Sequence, residues 1–221
     1  FVLFCFYYGL AIGTSVLCAQ YWGKGDHQTV ERILGLATKI VLLISLLFFV
    51  VSFFFPEYIM HLFTNSPETI AEGVTYLRVL SFSFVFMGFA QIFVSALRSV
   101  GKVVFPSVIY VVSLLVNVFL NATFIFGLFG APKLGVVGVA LGTVTARAVE
   151  AVLCLIYSAG SKEIRFRVET MFQRSGVLFK DFLKISAPSV INDLVWGLAA
   201  SMFTVILGHI GDDMVAANAV A

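Results

Sequence analysis

Long apolar runs broken by short polar punctuation set the pattern of this chain. A helix needs about 20 apolar residues to cross the hydrocarbon of a bilayer. Six stretches reach that length. Phe1 to Trp22 carries no charge, and Ile33 to Pro56 is interrupted only by Lys39. Val79 to Leu97 and Val103 to Gly130 are uncharged; Val136 to Tyr157 contains Arg147 and Glu150, and Phe182 to Ile210 contains Lys184 and Asp193. Short alternating segments, the mark of a β-barrel, are absent. The expected fold is therefore all-α, a polytopic membrane helix bundle with six transmembrane helices. Between the second and third spans, Ser66-Pro67-Glu68 reads as an N-cap followed by proline in the first turn. That predicts a short surface helix leading into the third span. The most polar stretch, Ser158 to Asp181, is the expected boundary.

Composition sharpens the picture. Of 221 residues, 60% are hydrophobic and 12% charged, with 24 Phe. Mean hydropathy is +1.03, too greasy for the surface of a soluble fold. A net charge of +2 argues against a nucleic-acid partner. Cys5, Cys18 and Cys154 lie in apolar runs without pairing or metal-ligand spacing, so no disulfide, metal or cofactor is expected. The chain opens on Phe1 inside a hydrophobic run, with no initiator Met and no basic region before it. A fragment is expected, not a chain with a signal peptide.

Charge asymmetry orients the spans. Alternate loops on one side carry Lys24, Arg32, Arg98, Lys102, Lys162, Arg165, Arg167, Arg174 and Lys180; the other side carries Arg78 and Lys133. Positive-inside places the first set in the cytoplasm, with residue 1, Asp212 and Asp213 outside, in a plasma membrane. Tyr21-Trp22 and Tyr157 then fall at the cytoplasmic interface.

Polar groups inside spans are the candidate functional residues, because each must find a partner away from lipid. Ser113, Asn117 and Asn121 recur every four residues and share one helix face. Stacked amides offer carbonyl oxygens to a cation, or interhelical glue at about 0.6 to 2 kcal/mol per bond. Asp193 lies about 16 Å into its span at 1.5 Å per residue, near the midplane. A carboxylate there is a candidate proton carrier or one half of a structural ion pair, with Arg147 the available cation. Pro188, one turn earlier, permits a kink. Arg147 and Glu150, three apart, are expected to neutralise each other structurally. Gln91 with Ser95 forms a weaker polar stripe, and Trp196 sits mid-span. Gly9-x-x-x-Gly13 and Gly138-x-x-x-Gly142 predict close helix contacts. His27, His61 and His209, isolated near span ends, read as structural. Without His-Glu-x-x-His, Gly-x-Ser-x-Gly or a phosphate-cradling loop, an enzyme is not expected.

Several strings resemble one family in order along the chain. Gly13-Thr14-Ser15-Val16, with Ala19-Gln20-Tyr21-Trp22-Gly23-Lys24-Gly25-Asp26, resembles the second helix and first cytoplasmic loop of the multidrug and toxic compound extrusion (MATE) transporters. Tyr76-Leu77-Arg78 resembles the start of their fourth helix. Ala96-Leu97-Arg98-Ser99-Val100-Gly101, Pro106, Asn117-x-x-x-Asn121 and Phe126-Gly127 resemble the end of helix four and helix five. Gly135-Val136-Val137-Gly138-Val139-Ala140-Leu141-Gly142-Thr143 resembles helix six; Ala187-Pro188, Asn192-Asp193 and Trp196 resemble helix seven.

The resemblance implies a twelve-helix fold of two lobes that rock to give alternating access. Residues 1–157 would form five helices of an incomplete first lobe, 158–181 the cytoplasmic linker, and 182–221 the first helix of the second lobe. In similar transporters, two polar residues on helix five and a Thr on helix six help hold a cation, here Asn117, Asn121 and Thr143. The carboxylate that anchors such a site comes from helix one, which this chain does not contain. Some relatives carry Asp where Asn121 stands. Asp193 matches a position often occupied by Glu, and Trp196 with Gln91 would line the substrate path. The implied activity is export of organic, cationic, amphipathic compounds in exchange for H⁺ or Na⁺. Its partners are a small organic substrate, a monovalent cation, the bilayer and the remaining helices of the transporter. A lipid-linked oligosaccharide flippase of similar fold, or a membrane scaffold whose polar residues are glue, are the alternatives. A flippase would favour a strongly cationic cavity, whereas these spans hold only Lys39, Arg147 and Lys184.

Overall fold

Asp26 shows how the polar punctuation works. Its carboxylate accepts the Thr29 amide at 3.0 Å and the Thr29 hydroxyl at 2.6 Å, capping the helix that follows. A computed structural model describes residues 1–128, 132–161, 164–173 and 175–210, of which 208–210 by backbone alone. Gly130, Lys162, Arg174, Asp212, Asp213 and the His209 side chain lie outside the described residues. Among those described, the elements are α1 (Val2–Gly23), α2 (His27–Phe54), α3 (Pro56–Phe63), α4 (Pro67–Ser81), α5 (Ser83–Ser99), α6 (Val104–Phe126), α7 (Gly135–Gly160), α8 (Val168–Phe172) and α9 (Gly176–Ile210). Helices α1, α2, α6, α7 and α9 are each long and apolar enough to cross a membrane, and α4 with α5 make a sixth, bent by 49°.

That bend departs from the expected straight span over Val79 to Leu97. The surface helix begins at Pro67 as expected, but it is a full 15 residues and continues through Phe82 into α5. Breaking a helix in an apolar medium frees carbonyls that must be satisfied locally. The Ser81 hydroxyl donates to the Arg78 carbonyl at 2.7 Å, and the Ser83 hydroxyl donates to Leu80 at 2.7 Å. Across the bundle, Tyr7 donates to the Phe84 carbonyl at 2.8 Å and meets Ser45 Oγ at 2.7 Å, tying α1, α2 and α5 together. Phe82 sits edge-on to Phe49 and Phe53, with ring centroids 5.2 and 5.7 Å away. By contrast, α9 runs unbroken through Pro188.

The core is centred on α5, which packs on α1, α2 and α7. Tyr7, Ile33, Leu34, Ile92, Phe93 and Leu97 are fully buried there. Outward, Leu43, Leu47, Leu115, Val118, Phe119 and Ile156 are exposed, an apolar surface that belongs against lipid. Both predicted glycine pairs make close contacts. Gly9 lies against Val190 and Gly13 against Ser186, so α9 seats directly on the backbone of α1. Gly142 lies against the side-chain Oδ1 of Asn121. At Gly127, φ of 71° closes α6, its amide donating to Thr123 at 2.9 Å.

The polar stretch after α7 is tied down. Ile164 is buried, the Phe166 amide donates to Ser158 Oγ at 2.6 Å, and its ring meets Phe89 edge-on at 5.1 Å. Arg167 pairs with Glu31 at 3.5 Å, and Thr170 rests against Gly35.

Candidate functional site

Helices α6 and α7 pack closely together, while α6 has little other contact. Ser113, Asn117 and Asn121 form a stripe at intervals of four residues. Thr143, Arg147 and Glu150, at offsets of four and seven, form a matching stripe on α7. The structure sets the two face to face. Asn121 Nδ2 donates to Asn117 Oδ1 at 3.1 Å, and Asn117 Nδ2 donates to Thr143 Oγ1 at 3.3 Å. The Thr143 hydroxyl in turn donates to the Val139 carbonyl at 3.0 Å. Every donor in this ladder points the same way, so one acceptor remains at its head. Asn121 Oδ1 is buried and has no hydrogen-bond partner. Such an oxygen is costly in a low-dielectric interior unless a donor or cation meets it.

Further along the stripes, the Arg147 guanidinium binds Glu150 Oε2 at 2.6 Å. Ser113 lies 3.5 Å from the same oxygen and 3.3 Å from the Ala146 carbonyl. Glu150 is buried, and the Arg147 side chain remains 32% exposed. Between the ladder and the ion pair lies a cavity of about 210 Å³, lined by Tyr110, Ser113, Leu114, Asn117, Thr143, Ala146 and Arg147. Asn117, Asn121 and Thr143 are thus brought together, and Arg147 pairs with Glu150, not with Asp193.

Asp193 stands apart on α9. It shares the stripe of Ser186, Val190 and Gly197 that seats on α1, and it is half-buried there. Its carboxylate accepts from Asn192 Nδ2 at 3.5 Å. Trp196 is 73% exposed, and Gln91 is half-buried on α5. A larger cavity, about 740 Å³ and chiefly apolar, lies elsewhere, between the Phe1 end of α1, α2, α3, the α4–α5 bend and Ala200 to Thr204 of α9. Sequence reasoning missed it because its lining comes from five separated segments, none of them polar enough to attract notice. It also missed the link from Ser113 to Glu150, although both lay on stripes already visible at helical spacing.

The MatE family profile matches residues 1–123, more than half of the chain. The chain belongs to the MatE family. It is 25% identical over its whole length to the "Probable multidrug resistance protein YoeA" of Bacillus subtilis, covering 48% of that protein. It is 29% identical, again over its whole length and 48% of the relative, to the "Probable multidrug resistance protein NorM" of Rhizobium meliloti. The crystal structure of a MATE in the bent conformation superposes with a TM-score of 0.80 at 20% identity, over 97% of this chain and 48% of that one. The chain therefore spans about half the length of the curated relatives it matches, and the MatE fold is that of a multi-pass membrane protein.

Proposed function

We propose that the full-length protein is a secondary antiporter that exports organic, cationic, amphipathic compounds in exchange for H⁺ or Na⁺. The observation that carries this reading is the partnerless Asn121 oxygen at the head of a one-way ladder of donors. In a MatE-family chain, whose relatives are named multidrug resistance proteins, it is a binding oxygen for an entering cation. Residues 1–157 belong to a first lobe, 158–181 link the lobes, and 182–221 begin the second. Lys24, Arg32, Arg98, Lys102, Arg165, Arg167 and Lys180 face the cytoplasm, and Arg78, Lys133 and residue 1 face outside, in the plasma membrane. A cation arriving from outside meets Asn121 first, then Asn117 and Thr143; Asp193 provides a second, separate ionisable station on α9. Binding at these stations favours one lobe arrangement over the other, which releases the organic compound outward. The apolar cavity beside the Phe1 end of α1 accommodates the apolar part of the exported compound.

The test uses the full-length protein in cells lacking their own pumps. Efflux of a fluorescent cationic dye is followed for wild type and Asp193→Asn at equal membrane abundance, with the pH gradient and then the Na⁺ gradient collapsed. Efflux abolished by one collapse and reduced in the variant is expected. Efflux indifferent to both gradients overturns antiport.

A further inference from the structure

We propose that the cavity between α2, α8 and the start of α9 binds the phosphodiester of a membrane-lipid headgroup, with Arg32 as its charged ligand. The cavity holds about 260 Å³ and is lined by Arg32, Leu36, Thr170, Gln173, Ser175 and Leu178. Arg32 Nε is buried and has no hydrogen-bond partner. A donor left buried and unmet is costly, the more so on a charged group, so the natural occupant beside it is an anionic acceptor. A guanidinium is always charged and presents its donors as a planar fork, which suits two oxygens of one phosphate.

The surroundings leave that fork free for a ligand. Among the described residues Arg32 forms no ion pair. Glu31 beside it is taken by Arg167 at 3.5 Å. The Asp26 carboxylate is held by Thr29 and acts on Arg32 only through its longer-range field. Glu31 and Glu169 line an adjoining cavity of about 320 Å³; in the first cavity Arg32 is the one charged residue of the described lining. Two neutral donors accompany it. Ser175 Oγ accepts from the Leu178 amide at 3.5 Å, which leaves its hydroxyl hydrogen to donate, and Gln173 carries a side-chain amide. The Thr170 hydroxyl donates to the Arg167 carbonyl at 2.6 Å, and Thr170 packs on Gly35, holding α8 against α2.

The rim favours a lipid over a free anion. Val168 and Phe172, four apart on α8, are exposed, as are Val177 and Phe179 at the start of α9. A cationic cavity rimmed by exposed apolar side chains, near the ends of the membrane-crossing helices α2 and α9, matches an amphiphile whose phosphate and acyl chains part at the interface.

Binding of a fluorescent short-chain phosphatidylglycerol to delipidated full-length protein in an uncharged detergent tests this. Inorganic phosphate serves as competitor, and the same-chain diacylglycerol as the probe without a phosphate. Wild type is expected to bind the phospholipid and not the diacylglycerol, with inorganic phosphate a weak competitor. Arg32→Gln should weaken phospholipid binding at least about tenfold, the scale of a lost charge-assisted hydrogen bond. Lys24→Gln removes an equal charge from an exposed position at the same end of the bundle and should leave binding nearly unchanged. Gln173→Glu, at an exposed position, sets a carboxylate beside Arg32 and should match Arg32→Gln, a loss that a merely structural Arg32 does not produce. Equal losses in Arg32→Gln and Lys24→Gln, or full binding in Gln173→Glu, overturn the site. Diacylglycerol bound as well as the phospholipid overturns phosphate recognition, and inorganic phosphate bound as tightly as the phospholipid overturns the lipid assignment.

Discussion

Replacing Asn117 and Asn121 separately by alanine distinguishes a cation site from interhelical glue, because the ladder makes the two residues structurally unequal. Asn117 takes part in both side-chain bonds, accepting from Asn121 at 3.1 Å and donating to Thr143 at 3.3 Å. The second is the link that crosses from α6 to α7. Bonds of this kind within membranes average about 0.6 kcal/mol and reach about 1.7 kcal/mol. Asn117→Ala should therefore cost about 1 to 2 kcal/mol, read as a fall of roughly 2 to 4 °C in melting temperature of the purified full-length protein. Asn121→Ala removes only one bond and also the buried oxygen that has no partner, whose removal recovers part of the loss. Its stability cost should be near zero. Function should follow the opposite order: Asn121→Ala should raise the ion concentration for half-maximal dye efflux by at least about tenfold, the equivalent of one lost coordinating bond. Two results would refute the reasoning: equal destabilisation by both variants, or unchanged ion dependence in Asn121→Ala.

Two further predictions concern the frame. A Cβ at Gly9 would stand 2.6 Å from the Val190 backbone, which cannot rotate away, whereas at Gly13 the Ser186 hydroxyl can turn aside and the Ser186 Cβ, 2.9 Å away, needs only a small shift. Gly9→Ala should cost about 1 to 3 kcal/mol in thermal unfolding and Gly13→Ala distinctly less; the reverse order would contradict the helix seating. At the other end of α1, the Thr29 hydroxyl and amide hold the Asp26 carboxyl below its usual range, so its capping contribution is complete above about pH 4 and is lost as pH falls through the lowered value. Hydrogen exchange at Thr29 and Val30 should accelerate relative to mid-helix amides on that descent, and Asp26→Asn should abolish the pH dependence.

How much of this was legible beforehand depended on the range of each interaction. Span number followed from apolar run length alone, and Asn117, Asn121, Arg147 and Glu150 announced their pairings through offsets of three and four. The bend at Phe82 was not legible, because Ser81 and Ser83 add no charge and barely alter hydropathy. Their effect is to accept a broken helix by donating to Arg78 and Leu80. Nor could sequence foretell that Ser113 would meet Glu150, since that requires the register of α6 against α7. The place of Asp193 along its helix could be counted from the sequence, but not the direction it faces. Its place on the α1-facing stripe emerges only once Gly9 and Gly13 are seen against Val190 and Ser186.

The two carboxylates within spans, Glu150 buried and Asp193 half-buried, then differ in what neutralising them does. Glu150 is balanced by Arg147, so neutralising it exposes a positive charge to a neighbouring cavity. Asp193 has no ion-pair partner among the described residues, so neutralising it removes a negative charge from the α1–α9 seam. A lone carboxylate in a bilayer costs at least about 2.5 kcal/mol on insertion scales and is relieved by water or by a bound cation. On the antiport reading, the ionised Asp193 therefore favours a seam that admits water or substrate, and the protonated form favours the closed glycine contact. Glu150→Gln leaves the Arg147 charge unbalanced beside the α6–α7 cavity, and Asp193→Asn removes a charge from the α1–α9 seam. The two changes act at separate places, so in combination they should multiply their effects on efflux.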